Sequence, residues 1–148
     1  MKRSSVILLS LLSFILLPFN LFALDFYLDY STYLGGDGMD WSRSIAVDSA
    51  EQPVLVGFTA GNGFPLSAPY QAAYGGGDYD AYVSKLSDQG SSLIFSTYLG
   101  GSGDDAAHAL TLDSDGNVYL AGHTSSRDYP TMNPYQAAFN SGTYDLII

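Results

Sequence analysis

Two glycine-rich stretches carry the residues best suited to chemistry. Gly35-Gly36-Asp37-Gly38-Met39-Asp40 and Gly100-Gly101-Ser102-Gly103-Asp104-Asp105 both open like the Gly-Gly-x-Gly-x-Asp nonapeptide that holds Ca²⁺ in repetitive β-rolls. Asp37, Asp40, Asp104 and Asp105 are therefore the candidate metal ligands, with Ca²⁺ the candidate ion and no other cofactor expected. The spacing opposes that chemistry: β-roll ions lie between successive short turns, whereas these stretches recur 65 residues apart, and the large apolar eighth position is Ser42 or Ala107. A glycine hinge whose Asp side chains bond loop amides accounts better for the pattern. Asp113-Ser114-Asp115-Gly116-Asn117 resembles the start of an EF-hand loop, but its sixth position is Val118 rather than Gly and its twelfth is Thr124 rather than Glu. It reads as a turn. His108, close to Asp104 and Asp105, has the company of a general base, yet Arg43 stands at the equivalent place and no nucleophile is marked by a strained turn. No residue is assigned a catalytic role.

The equivalence of such places comes from an internal repeat. At an offset of 65, residues 30–83 match residues 95–148 without gaps and with 22 identities in 54 positions. STYLGG occurs at 31–36 and 96–101, PYQAA at 69–73 and 134–138, and Tyr-Asp at 79–80 and 144–145. A period of this length marks a supersecondary unit that buries its apolar faces against copies of itself. Within one period the pattern predicts four strands at 44–48, 54–59, 81–86 and 93–99, separated by Asp-, Asn- and Gly-rich turns. Four sequential strands with mostly short connections form an antiparallel meander, the blade of a β-propeller. PYQAA, with Pro at a first helical position, predicts one short helical turn inside the long loop.

STYLGG, Gly-x-Gly-x-Asp, Ile-Ala-Val-Asp-Ser, PYQAA and Tyr-Asp-Ala-Tyr-Val-Ser-Lys-Leu-Ser in this order resemble the bacterial β-propeller repeat family called SBBP. The resemblance covers residues 30–148. It implies a propeller blade in exported or surface-associated bacterial proteins, and implies no reaction.

Residues 1–23 are set apart as a secretory signal peptide: Lys2 and Arg3 precede an apolar run at 6–17, Pro18 breaks it and Ala23 offers a small residue for cleavage. The run is too short to span a bilayer, and the mature chain has no transmembrane segment. Without cysteine the exported chain has no disulfide and relies on packing and backbone ladders. Removing residues 1–23 takes away two of five basic residues and none of the 15 acidic ones, leaving a charge of −12. That charge repels a phosphate backbone, so no nucleic-acid partner is expected. The expected organisation is an outer strand of a preceding or closing blade plus a loop over 24–42, a complete blade over 43–99, and a second blade over 100–148, truncated in its third strand. Two blades do not close a ring, so a truncated fragment is the expectation, with assembly of several copies into one ring as the lesser alternative.

In an up-down meander the connections after strands two and four share one face. That face carries the long loops at 60–80 and 125–145, with Asp37, Asp40, Asp78, Asp80, Asp104, Asp105, Asp128 and Asp145 and with Tyr70, Tyr74, Tyr79, Tyr135 and Tyr144, which makes it the expected place of contact. Recognition residues should differ between repeats, which selects Asn62 and Leu66 in the first and Arg127, Asp128, Thr131 and Met132 in the second. The expected function is a non-enzymatic, secreted or cell-surface scaffold whose acidic, Tyr-rich loop face binds protein or glycan. The alternative is part of a propeller hydrolase or lyase with a metal near the central axis.

Overall fold

The computed structural model describes residues 27–148, so the signal peptide expected at 1–23 lies outside the described residues. The chain is all-β. Strands β1 (Asp40–Val47), β2 (Pro53–Thr59), β3 (Asp80–Leu86) and β4 (Leu93–Leu99) form one antiparallel sheet in the order β1-β2-β3-β4. Strands β5 (Asp105–Leu112), β6 (Val118–Thr124) and β7 (Asp145–Ile147) form a second in the order β5-β6-β7. These are one full propeller blade and one incomplete blade, and among the described residues no ring closes. No helix among them is long and apolar enough to cross a membrane.

Local chemistry sets the hairpins. Asp48 Oδ1 accepts from the Ala50 and Gln52 amides, both at 2.9 Å, and Asp113 Oδ1 accepts from Asp115 and Asn117 at the same distance. Each Asp thus nucleates the turn that follows its strand, which is what the EF-hand-like stretch does in the fold. Both inner strands carry a bulge at the same place, between Ser42 and Ser44 in β1 and between Ala107 and Ala109 in β5. Opposite each bulge stands a glycine. A Cβ on Gly57 would lie 1.8 Å from the Trp41 carbonyl oxygen, and one on Gly122 would lie 1.9 Å from that of Ala106. Only glycine admits so close a backbone approach.

The core lies between the two sheets. β2 is buried along nearly its whole length, as its uninterrupted apolar run predicts. Val54, Val56, Ala81 and Val83 meet Ala107, with Leu110, Leu112, Val118 and Leu120 packed against them. Fully burying one such valine stabilises the fold by about 1.5–3 kcal/mol. A second cluster, Phe64, Tyr82 and Tyr98, sits under the 60–79 loop.

The structure departs from two expectations. PYQAA forms no helical turn. The loop instead runs beside β4, with Ser67 bridged to Ser96 and Gln71 to Tyr98. Backbone bonds to β4 outweigh the weak propensity of five residues for a single turn. Residues 27–39 form no strand either, and β1 begins at Asp40. The repeat aligns 30–34 with β4, but β4 is a strand through its pairing with β3, and no such partner for 30–34 stands among the described residues.

Candidate functional site

The ends of β2, β4 and β6 and the starts of β1, β3, β5 and β7 meet at the long-loop face, where the acidic side chains gather. Their geometry is that of staples. Asp40 Oδ2 accepts from the Gly36 amide at 2.9 Å, and Asp40 Oδ1 accepts from the Thr59 hydroxyl at 2.6 Å. Asp105 Oδ2 accepts from the Gly101 amide at 2.8 Å and from the Ser126 hydroxyl at 2.7 Å. Asp104 Oδ1 takes the Asp78 amide at 2.6 Å. Asp37 lies against Gly63 at the turn of the first long loop. Strand three repeats the device: Asp80 Oδ2 accepts from Gly75 at 2.5 Å, and Asp145 Oδ2 from Asn140 at 2.8 Å. The four candidate metal ligands therefore bind or abut loop backbone, and among the described residues no three acidic or histidine side chains converge to hold an ion.

Asp80 and Asp105 differ from the rest. Both carboxylates are fully buried, and Oδ1 of each has no hydrogen-bond partner. They meet at Gly100, where a Cβ would lie 2.6 Å from Asp80 Oδ1 and 2.9 Å from Asp105 Oδ2. Burial, followed by the charge of Asp105, pushes the Asp80 carboxyl up to about 6, while the amides of Gly75 and Gly76 oppose the shift. Burial also raises Asp105, against hydrogen bonds that lower it. The Tyr129 hydroxyl is raised by burial and then by the charges of Asp105 and Asp80. The sequence marks Asp80 only through the repeated Tyr-Asp pair. Its burial against Asp105 arises from packing between the two sheets.

An aromatic row crosses the same face. Trp41 stacks on Phe58 with centroids 5.8 Å apart, Phe58 meets Tyr79 at 4.8 Å, Tyr79 meets His123 at 6.4 Å and His123 meets Tyr144 at 4.7 Å. Arg43, on the β1 bulge, lies 5.1 Å from the Trp41 centroid and 5.2 Å from that of Phe58. His108, at the equivalent bulge of β5, brings Nε2 to 2.8 Å from His123 Nδ1. The bulge re-aims both residues onto strand two. Burial, then the neighbouring His108, lowers the His123 imidazole, and burial with the Tyr144 hydroxyl pushes Tyr79 up to about 12.

The six predicted recognition residues separate. Arg127, Thr131 and Met132 line an open groove of about 440 Å³ beneath the 125–144 loop, together with Tyr129, Gln136 and Ile147. The Arg127 guanidinium lies 5.4 Å from the Phe139 centroid. Asp128 is not part of the groove. Its Oδ1 accepts from the amide and the hydroxyl of Ser102, each at 2.8 Å. Asn62 is exposed on the crest of the first loop, while Leu66 packs against the Phe64, Tyr82 and Tyr98 cluster. Tyr129 and Gln136 were not among the sequence candidates. Gln136 is part of the repeated PYQAA, and its counterpart Gln71 accepts the Gly100 amide through Oε1 at 3.1 Å.

Among curated proteins none matches the chain. Residues 94–130, from β4 through β5 and β6 into the loop beyond, match the family model SBBP, described as a beta-propeller repeat. The strands that this match spans are those of the blade geometry described above, so the stretch is similar to an SBBP beta-propeller repeat in both sequence and strand order.

Proposed function

We propose that the chain is a non-enzymatic propeller scaffold, exported to the cell surface or beyond, whose loop face binds a protein or glycan partner. One observation carries the reading: repeated polar side chains on this face are spent on the chain's own backbone, while the Asn62 and Arg127 pair, which differs between the repeats, is left facing out. Asp40, Asp80, Gln71, Asp105 and Asp145 all hold loop amides. Asn62 and its counterpart Arg127 are exposed. Loops positioned by a rigid sheet are where recognition concentrates. Export rests on residues 1–23 alone, with Lys2, Arg3 and the apolar run ahead of Ala23.

A glycan array and a panel of purified extracellular proteins test the reading. Binding is expected that falls at least about tenfold on replacing Asn62 and Arg127 together by Ala, with the β-sheet circular dichroism unchanged. Metal-dependent hydrolase or lyase turnover by the full chain would overturn it in favour of the enzyme alternative.

A further inference from the structure

We propose that His108 and His123 form a two-imidazole site for a divalent transition cation, with Cu²⁺ the tightest bound. The two residues are 15 apart in the sequence and sit on the neighbouring strands β5 and β6. A bulge brings them together. Ala107 pairs with Gly122 and Ala109 with Ala121, so His108 is the extra residue of β5 and reaches over β6. Its Nε2 stands 2.8 Å from His123 Nδ1, with ring centroids 4.8 Å apart. The His123 ring is fixed between Tyr79 and Tyr144, which meet it edge-on with centroids 6.4 and 4.7 Å away. His108 is exposed, which leaves the pair open to ions from solvent.

That separation is close to what a metal ion requires. Imidazole nitrogens lie about 2.0–2.1 Å from a bound ion, so two ligands at right angles stand about 2.9 Å apart and two tetrahedral ones about 3.3 Å. A pair already at 2.8 Å opens least for the right-angled, tetragonal arrangement that suits Cu²⁺, the ion that also leads the affinity order of the divalent series. In the hydrogen bond one nitrogen donates and the other accepts, so the accepting ring already offers a lone pair. On binding, the donating ring carries its proton on its other nitrogen, and both imidazoles ligate in the neutral form with no net proton released. Among the described residues no third histidine or carboxylate joins the pair, so water completes the coordination. Asp105 and Asp104 add negative charge near His123, while the positive Arg43 is engaged with Trp41 and Phe58. The first sheet holds Arg43 and Phe58 at the equivalent places, and neither ligates an ion, so the site belongs to the second repeat alone. Arg43 is exposed although the second sheet packs beside its own, so this bulge faces solvent even where a neighbouring sheet is present.

Calorimetric titration of the full chain with Cu²⁺ is expected to find this site, with Zn²⁺ binding more weakly. The electron paramagnetic resonance spectrum of the Cu²⁺ form should show coupling to two imidazole nitrogens. His108→Arg and His123→Phe each install the residue that the first sheet already carries at that place, so both should keep the native circular dichroism. Each should weaken Cu²⁺ binding by at least about tenfold and leave coupling to one imidazole nitrogen at most. Zn²⁺ should raise the melting temperature of the wild type and of neither variant. If one variant loses its fold, the other decides alone. A wild-type chain that binds no Cu²⁺, or an affinity and spectrum unchanged in the variants, the mark of an adventitious ion only, would overturn the proposal.

Discussion

Asp80 shows how position alone changes what a carboxylate does. Asp48, at the turn after β1, is held below the ordinary range, first by its bond to Lys85 at 2.6 Å and then by the Gln52 amide. Asp80 is pushed the other way by burial. Its folded-state value of about 6 lies above the unfolded value of 3.8, so its protonation favours the native state. The associated stability is fully present below 3.8 and lost as the pH rises through about 6. The melting temperature should accordingly rise by about 5 °C or more between pH 7.5 and pH 5, and Asp80→Asn should flatten that rise. A profile that falls on acidification in the wild type would remove Asp80 as the controlling group. None of this was legible in the sequence, where Asp80 looks like any loop-face acid. Asp40 and Asp105 were legible as hinge staples, because Gly-Gly-x-Gly-x-Asp places a carboxylate four residues beyond the amide it accepts.

At the scale of the element, the strands were the most legible part. β4 matches the expected bounds, and β2 and β3 each begin one residue earlier than expected, because alternation and Gly-Asp turns are local properties of the chain. β1 starts four residues early, since Asp40 to Ser42 pair with β2 ahead of a bulge that no periodicity announces. PYQAA was misread for a different reason. Its intrinsic preference was judged without β4, to which Gln71 donates its amide through Thr97 Oγ1 at 2.8 Å. The loop and β4 are further joined by Tyr98, which is almost fully buried and bonds Phe64 and Gly61 through one hydroxyl. Tyr98→Phe keeps the ring packing but strands the Phe64 amide. It should cost about 1–3 kcal/mol in urea unfolding, with no change in the slope against denaturant. A cost near zero would mean that water replaces the hydroxyl and that the loop is held by its backbone bridges alone.

At the scale of the whole molecule, the described residues form two unequal sheets sharing one core. β2 and β3 are buried on both faces, whereas β7 is three residues long and alternates half-buried, exposed and buried. Local opening free energy follows burial and contact, so amide exchange should be slowest in β2 and β3 and fastest in β7. Equal protection of β7 and β3 in dilute solution would contradict this gradient. The repeat identified the units, their order and the shortened third strand of the second, but not which faces are covered. Residue-by-residue alignment treats Leu146 and Ala81 as equivalent, while only Ala81 has a second sheet lying over it.

The 60–79 loop bonds the outer side of β4 through Ser67 and Gln71. A free outermost strand is a template on which foreign strands can add without limit, the route by which β-proteins turn into amyloid. Here that template, on the β4 side of the first sheet, is already claimed by the protein's own backbone. Lateral growth from β4 is thereby blocked, which matters in a chain that has no cysteine to staple its strands.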